Sequence, residues 1–280
     1  MAARKFGFFF FFLLPAVVWG QGAPQKIVFK VYSSDKPTVM YDQFRPILDQ
    51  AQNFLKSQGQ DVQIDLAITP DYKQTIDDLV SGKADMGRVG PSSYVTIKDQ
   101  VPDISIVAME LVDGKKEFDG FIITRKTSPV QSVKDLRGKS FAFGDPLSTL
   151  GRYLPQAVLV RAGIHAKDLA KFNFLDRHDK VAGAVLNGDF DAGSVKAQTF
   201  AKFEKQGEGL RMVATLKNVT KPWVARKGLS PQIIEGMRKF LLQLKDPVVL
   251  KTLDDSSGFT MGSDHDYAPI REAMNVASSF

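Results

Sequence analysis

The chain has 280 residues, no cysteine and a formal net charge of +6. The lack of cysteine excludes disulfides and a lipid attached through a processed amino-terminal cysteine. The positive charge is spread along the chain without a basic run or an arginine-rich helix, so nucleic-acid binding is not indicated.

The amino-terminal segment has the order of a secretory signal peptide. Arg4 and Lys5 precede an apolar run from Phe6 to Val18, and small residues follow at Gly20 and Gly22. The run is shorter than the ~20 residues that a membrane-spanning helix needs, which argues against the alternative of a retained anchor. We predict a cleaved signal peptide that ends near residue 22 and leaves an unlipidated protein of the bacterial periplasm.

Beyond the signal, short β-rich runs alternate with amphipathic helical segments. This alternation predicts an α/β fold with a mainly parallel sheet and helices on its faces. The runs predict strands at residues 27–32, 62–68, 85–89, 118–125, 140–144 and 171–175, and helices at 41–57, 72–81, 92–98, 149–162, 231–244 and 268–277.

An internal repeat relates two parts of the chain. Leu79–Val89 aligns without gaps on Val185–Val195, and each copy has the pattern of a helix end, a glycine and a strand. In the same alignment, Tyr94 falls opposite Phe200. We interpret the copies as two lobes of similar build, the alternative being chance similarity around a common Gly-x-x-Asp turn.

The two lobes need not be contiguous in sequence. The strand from Phe118 and the stretch around Asn218 are expected to cross between them. Residues 23–118 and 222–280, including both tail helices, would then form lobe I, and residues 119–221 would form lobe II. Two crossing segments make a hinge, and open α/β sheets bind ligands beyond the carboxyl ends of their strands, so a cleft is predicted between the lobes.

The segment from Phe141 to Gly151 has the features of an anion site. A buried strand leads into a polar loop, where Ser148 is suited to cap a helix that begins with Thr149 and Leu150. Hydroxyl groups, unpaired backbone N–H groups and the positive end of a helix dipole together favour an anion. A plain capped helix is the alternative.

The same segment resembles a known family, the phosphate-, phosphite- and phosphonate-binding periplasmic proteins of ABC transporters. The resemblance implies the type II periplasmic-binding-protein fold, in which each lobe is a mixed, mostly parallel sheet flanked by helices. It also implies that a phosphorus oxyanion is captured between the lobes and delivered to the membrane subunits of an importer. The residues that carry the resemblance are Asp135 to Phe143, Asp145-Pro146, Ser148-Thr149, Gly163-Ile164, Arg177-His178-Asp179, Gly188 with Asp191-Ala192-Gly193, Gly82 to Asp85, and Gly90 to Tyr94.

The resemblance assigns most of the ligand contacts to lobe II. Ser148 and Thr149 would bind the oxygens on phosphorus, with the backbone at Leu150 and Gly151, and His178 would add a third side chain. Leu150 stands where the family usually has serine, so one hydroxyl group is missing. An apolar residue there favours an organophosphonate or another ligand.

Three further residues, Tyr41, Tyr94 and Asp191, complete the expected site, and Tyr72 is a fourth candidate. Tyr41 and Tyr94 match the tyrosines that close over the ligand from lobe I, and Tyr72, opposite His178 in the repeat, is a weaker candidate. Asp191 would accept a proton from a P–OH group or from an amine. Its alternative role is that of a strand-end aspartate that binds local backbone.

Other functions stay open on the sequence alone. The same pocket would serve a periplasmic sensor that docks on a signalling receptor, or a binding protein for a different small anion. A hydrolase with Ser148, His178 and Asp191 as a triad is disfavoured, because no G-x-S-x-G motif surrounds the serine. We expect a monomeric binding protein with no catalytic residue, no resident cofactor and no metal.

Overall fold

The structure, a computed structural model, describes residues 23–33, 36–207, 209–253 and 256–280. The predicted signal peptide lies outside these residues. In the part of the chain that the structure describes, no helix is long and apolar enough to cross a membrane.

The described residues form alternating strands and helices. The strands are β1 (Gln25–Tyr32), β2 (Val62–Thr69), β3 (Met86–Arg88), β4 (Ser105–Val112), β5 (Glu117–Arg125), β6 (Ser140–Phe143), β7 (Lys171–Phe174), β8 (Ala192–Lys196), β9 (Leu210–Val219), β10 (Pro222–Ala225) and β11 (Ser256–Thr260). The helices are α1 (Pro37–Ser57), α2 (Tyr72–Val80), α3 (Pro91–Gln100), α4 (Leu154–Arg161), α5 (His178–Asn187), α6 (Ala197–Lys205), α7 (Pro231–Gln243), α8 (Pro247–Thr252) and α9 (Ala268–Ala277).

The strands form two mixed sheets, one in each lobe. The sheet of lobe I has the order β11-β4-β10-β3-β1-β2, and that of lobe II has the order β7-β6-β8-β5-β9. In lobe I, β1 is parallel to β2 and β3. In lobe II, β6 is parallel to β7 and β8, and β5 runs antiparallel to its neighbours. The predicted two-lobed fold with mixed sheets flanked by helices is therefore confirmed, but the sheets are not mostly parallel, because β10 runs antiparallel to β3 and β4, and β11 runs antiparallel to β4.

Hydrophobic periodicity explains how the first helix packs on its sheet. Along β1, Ile27, Phe29 and Val31 alternate with less buried residues and so share one face. The buried residues of α1 recur at three- and four-residue intervals, which places them on one stripe facing that sheet. Full burial of each large apolar side chain contributes roughly 1.5–3 kcal/mol to folding.

The internal repeat gives the two lobes an equivalent hydrogen bond between neighbouring parallel strands. Asp85, just before β3, accepts a hydrogen bond of 2.8 Å from the backbone N–H of Val28 in β1. Asp191, just before β8, accepts one of 2.8 Å from the backbone N–H of Ser140 in β6. Each aspartate thus ties the amino end of its strand to the neighbouring parallel strand.

The chain passes between the sheets twice, and the two passages lie side by side. Residues 113–116 connect β4 to β5, and residues 220–221 connect β9 to β10. The N–H of Thr220 donates to the carbonyl of Lys116 at 2.9 Å, and the N–H of Glu110 donates to that of Lys221 at 3.1 Å. These bonds hold the two crossing segments together as one hinge.

The last helix does not keep to lobe I, contrary to the expectation for the tail helices. α7 packs on α1 and β4 of lobe I, whereas α9 lies against both α3 of lobe I and α4 of lobe II. The carboxyl-terminal Phe280 packs edge-on against Phe143 and Phe172 of lobe II, and its carbonyl accepts from the N–H of Ala166 at 3.0 Å. The packing of this partly buried aromatic ring against lobe II holds α9 across the lobe boundary.

A buried ion pair joins the three central strands of lobe I. Arg88 of β3 donates to Glu110 of β4 from Nε at 2.9 Å and from Nη2 at 3.0 Å. Between these strands, Trp223 of β10 donates from its indole N–H to the same carboxylate at 3.0 Å. Both ions are almost completely buried, so each depends on the other to offset its lost hydration.

Glu110→Gln is expected to lower the free energy of unfolding by about 3–5 kcal/mol, because it leaves the Arg88 guanidinium buried without a counter-charge. Urea unfolding followed by circular dichroism measures the loss. As a control, Asp103→Asn breaks the exposed pair of Asp103 with Lys227 and should leave stability nearly unchanged. Equal effects of the two substitutions would show that the buried pair has no special importance.

Candidate ligand-binding site

A small cavity lies where the carboxyl ends of the parallel strands of the two lobes face each other. Its volume is about 40 Å³, enough for one or two small groups in this closed arrangement. A larger groove of about 880 Å³ lies beside α6 and shares Phe118 with the cavity. The cavity is lined by Tyr32, Tyr72, Gly90 and Pro91 of lobe I, by Phe118, Ser148, Thr149, Leu150, His178, Lys196 and Asn218 of lobe II, and by Lys221 of the second crossing.

Two glycines shape the loop that carries Ser148. A Cβ atom on either Gly144 or Gly151 would lie 2.9 Å from the Cα atom of the other, so the strand end and the helix start approach too closely for any side chain. The N–H of Gly144 donates to the carbonyl of Gly151 at 2.8 Å, and the N–H of Gly151 donates to Ser148 Oγ at 3.0 Å. Ser148 therefore caps the helix, which opens with a π-helical turn over Thr149–Tyr153 before α4.

Thr149 links the lobes directly. Its Oγ1 accepts a hydrogen bond from the backbone N–H of Ser92 at 2.9 Å and donates one to Ser92 Oγ at 2.9 Å. Ser92 Oγ in turn donates to the carbonyl of Leu147 at 2.7 Å. In this conformation the Thr149 hydroxyl joins the helix starts of the two lobes, with Ser148 beside it on the cavity wall.

Two tyrosines of lobe I face the Ser148 loop. The rings of Tyr32 and Tyr72 stack with centroids 3.7 Å apart. Burial raises the pKa of Tyr72, and hydrogen bonds with Ser148 and Tyr32 offset part of the rise, so its hydroxyl stays protonated at neutral pH. Gly90 leaves room for this pair, because a Cβ atom there would lie 3.1 Å from the Tyr32 hydroxyl oxygen.

His178 enters the cavity as the first residue of α5. The chain before it turns sharply at Asp176, which has a left-handed backbone conformation with φ 64°. In the repeat, His178 corresponds to Tyr72 at the start of α2, so equivalent helix starts place one side chain from each lobe in the same cavity.

Carboxylates gather at the mouth of the cleft, next to the cavity. Burial raises the pKa of Asp145 to about 6, the nearby charges of Asp176 and Asp71 add to the rise, and a hydrogen bond from the N–H of Leu147 opposes it. Asp71 belongs to lobe I, whereas Asp145 and Asp176 belong to lobe II. Closure of the lobes therefore brings like charges together.

Two predicted cleft tyrosines lie elsewhere. Tyr41 is on α1, 48% exposed, and lines a surface depression with Arg45. Tyr94 is buried with its ring against Tyr267, and its hydroxyl donates to Asp264 at 3.0 Å. The face of α3 that carries Tyr94 packs towards α9, so the helix start lies at the cleft while this ring does not.

Asp191 also lies outside the cavity, at the amino end of β8. Its carboxylate accepts from the backbone N–H and from the hydroxyl of Ser140, each at 2.8 Å. Although burial opposes ionisation, these hydrogen bonds hold the pKa of Asp191 below its usual value. It is thus the strand-end aspartate of the alternative interpretation, and Ser148, His178 and Asp191 do not form a triad because the strand separates them.

Leu150 closes one wall of the cavity by packing into lobe II. Its Cδ2 atom occupies the space over Gly120 of β5, where a Cβ atom would lie 2.4 Å away. The side chain is buried in the core of the lobe. Leu150 therefore supplies an apolar wall where a serine would supply a hydroxyl.

The lining residues that the sequence did not assign to the ligand include Tyr32, Phe118, Lys196, Asn218 and Lys221. Tyr32 ends β1 and Lys196 ends β8, so their position at the carboxyl ends of strands was the available signal. Asn218 and Lys221 lie at the second crossing, whose approach to the cavity depends on the hinge. In the described residues, no group of three or more histidine, cysteine or acidic side chains is placed to hold a metal ion.

Comparison with known proteins identifies the family. Residues 29–267 match the family model for the periplasmic substrate-binding protein of phosphonate ABC transporters. The chain belongs to this family. The resemblance noted in the sequence is confirmed over most of the chain.

Curated members of the family are recognisable at low identity. The probable phosphite-binding protein PhnD1 of an ABC transporter in Prochlorococcus marinus is 27% identical over 239 residues, covering 77% of this chain and 80% of the relative. The phosphate-import protein PhnD of Mycolicibacterium smegmatis is 23% identical, covering 82% of this chain and 75% of the relative. The phosphonates-binding periplasmic protein of Escherichia coli is 25% identical, covering 87% of this chain and 74% of the relative.

Solved structures agree on the architecture. The structure of PhnD1 from Prochlorococcus marinus in complex with methylphosphonate superposes with a TM-score of 0.80 at 21% identity, covering 92% of this chain and all of the other. The aliphatic sulphonate-binding protein SsuA of Escherichia coli superposes with a TM-score of 0.61 at 17% identity, covering 90% of this chain and 91% of the other. At these identities the likeness establishes the fold.

Ligand affinity is expected to rise as the pH falls through about 6, because the closed form binds a proton on Asp145 more tightly than the open form does. The gain in affinity should level off near pH 4, which is about the usual pKa of an aspartate. Asp145→Asn should remove this dependence and raise affinity at pH 7.5, by no more than the roughly hundredfold that a pKa shift of about two units allows. The ratio of the Kd values of variant and wild type at each pH cancels the titration of the ligand itself, and a ratio independent of pH contradicts the prediction.

Gly151→Ala should lower the free energy of unfolding by about 1–3 kcal/mol and weaken ligand binding, because the new methyl group displaces Gly144 and Ser148. Gly183→Ala is the matched control within α5, where a Cβ atom meets nothing within 4 Å. That substitution should stabilise the protein by about 0.5–1 kcal/mol. Urea unfolding and calorimetric titration measure both effects, and stabilisation by both alanines would contradict the close approach.

Proposed function

We propose that this chain captures a small phosphorus oxyanion in the cleft between its lobes and delivers it to the membrane subunits of an ABC importer. The observation that carries the proposal is the convergence of donors on one cavity at the hinge. Ser148 and the helix start beside it face Tyr72, and the cationic or ionisable side chains of His178, Lys196 and Lys221 line the same space. Hydroxyl, ammonium and helix-terminal groups are the donors that an oxyanion requires.

The names of the relatives support phosphorus as the central atom of the ligand. They are described as phosphite-binding, phosphate-importing and phosphonate-binding proteins, and one was solved with methylphosphonate. Membership of the family likewise supports a place in the periplasm and a role in binding rather than catalysis. The small volume of the cavity, which lies between the two lobes, favours a ligand with few non-hydrogen atoms.

Closure about the hinge supplies the coupling between binding and delivery. The Ser92–Thr149 hydrogen bonds form across the cleft, next to the cavity, so they can form only when the lobes meet. A ligand that bridges Ser148 on one lobe and Tyr72 on the other stabilises that arrangement. The closed form is then the one that the importer recognises.

Protein that has been unfolded and refolded to remove carried-over ligand should be stabilised by phosphite, phosphate or methylphosphonate, and not by sulfate. A hundredfold excess over Kd should add about 2.7 kcal/mol to the free energy of unfolding. Thermal shift and calorimetric titration measure the effect. A response to sulfate or an organic acid alone would exclude a phosphorus ligand.

Ser148→Ala should weaken binding of the same ligands at least about tenfold, since it removes a charge-assisted hydrogen bond to the ligand and one of the two hydrogen-bond partners of the Tyr72 hydroxyl. Ser132→Ala is the control, because Ser132 caps a short exposed helix of the same lobe, away from the cavity. It should leave the Kd unchanged. Equal Kd values for wild type and Ser148→Ala would exclude Ser148 from the site.

A further inference from the structure

Phe118 lies where three spaces of the structure meet. It lines the ligand cavity, a second chamber of about 20 Å³ on the side of the hinge, and the groove of about 880 Å³ beside α6. Among the described residues, no other one lines all three spaces. Val112 and Gln198 line both the second chamber and the groove, so these two spaces adjoin each other. Phe118 therefore lies at the boundary between the ligand cavity and a much larger space.

The position of Phe118 is fixed by the sheet and the core of lobe II. It is the second residue of β5, directly after the first crossing, and it pairs with Asn218 of β9. Its side chain packs against the hydrophobic core of lobe II that includes Leu150. Protein interiors are close-packed, so the ring can move aside only with a loss of packing. The boundary is therefore a fixed wall of the closed site.

Phe118 and Leu150 give the cavity an apolar side. Alternate residues of a strand face the same side, so Phe118 shares a face of β5 with Gly120. The side chain of Leu150 fills the space over Gly120, and both Phe118 and Leu150 line the cavity. An apolar group gains free energy when it leaves water for such a wall. For a phosphonate held at Ser148, we therefore expect an alkyl substituent to point towards Phe118.

The mouth of the cleft is less suited to an alkyl substituent. A depression of about 420 Å³ at the mouth shares Tyr72 and His178 with the cavity. Its lining includes the carboxyl groups of Asp71, Asp145 and Asp176. An alkyl chain laid over these groups would remove water from them without replacing its hydrogen bonds, which is unfavourable.

Resting on the function proposed above, we propose that Phe118 determines the length of the substituent that the site accepts. The ring stops the substituent at the boundary, so a phosphonate with a short alkyl group such as ethyl binds and one with a longer chain is excluded. Removal of the ring joins the cavity to the groove beside α6 and admits the longer chain. The selection depends on shape and not on charge, because alkylphosphonates of different length carry the same charged group.

Ethylphosphonate and hexylphosphonate test the proposal, because they share the phosphonate group and differ in chain length. Calorimetric titration of refolded wild-type protein should give at least about tenfold tighter binding of ethylphosphonate, since a chain forced against a packed ring strains the site. Phe118→Ala should bring the affinity for hexylphosphonate at least to that for ethylphosphonate. Each methylene group that then leaves water improves the affinity about fourfold.

Phe121→Ala is the matched control for Phe118→Ala. Phe121 belongs to the same strand and lines the groove, but it lines neither the cavity nor the second chamber. Its ring lies edge-on to that of Phe200, with the centroids 5.4 Å apart. Its removal widens the groove without opening the boundary, so the preference for ethylphosphonate should stay as in the wild type.

A second variant guards against loss of the fold. Phe118→Leu keeps an apolar side chain in the core and shortens the wall, so it should change the preference in the same direction as Phe118→Ala. Urea unfolding followed by circular dichroism establishes that each variant is folded before its ligands are compared.

Any of four results would overturn the proposal and leave the proposed function intact. The first is equal binding of the two phosphonates by wild-type protein. The second is an unchanged preference in folded Phe118→Ala or, where that variant does not fold, in Phe118→Leu. The third is an equal change of preference in Phe118→Ala and Phe121→Ala, which would assign the selection to the width of the groove. The fourth is binding of phosphite but of neither alkylphosphonate. Failure of phosphite, phosphate and methylphosphonate alike would instead remove the proposed function, and this inference with it.

Discussion

The buried ion pair of Arg88 and Glu110 fixes the geometry on which the cleft depends. The ion pair reaches across β10 and joins β3 to β4 through the Glu110 carboxylate. β3 leads to the start of α3, and β4 leads to the first crossing. Trp223, which follows the second crossing, donates to the same carboxylate. Since both ions are buried, any displacement of one strand separates charges that water cannot reach. The segments that bring both lobes to the cavity therefore share one anchor.

The two lobes use one structural plan for different chemical purposes. Asp85 and Asp191 each accept a backbone hydrogen bond at the amino end of equivalent strands, and each bond holds its sheet in register. At the carboxyl ends the copies diverge, because Tyr72 corresponds to His178 and Gly90 corresponds to Lys196. The divergence gives lobe I neutral hydroxyl donors and lobe II ionisable ones. Two copies of the lobe II strand ends would have placed like charges opposite each other across the cleft.

The Ser148 loop shows why part of the site could be anticipated. Its capping serine, its glycines and its place after a buried strand are all local, and the structure brings Ser148, Thr149, Leu150 and His178 together at the cavity. The errors arose where packing between elements decided the outcome. The start of α3 does reach the cleft, but the direction of the Tyr94 ring depends on α9, a helix that follows much later in the chain.

The sequence by itself determined the alternating elements, the two-lobed fold, the family and the helix start that lines the cavity. Hydrophobic periodicity, glycine positions and helix caps act over a few residues, so they can be interpreted without the fold. Only the tertiary structure decided that Asp191 serves the sheet and not the ligand, and that Lys196, Asn218 and Lys221 border the cavity. Those roles depend on which end of a strand faces the other lobe and on how the hinge folds back, and both are set by contacts between residues distant in sequence.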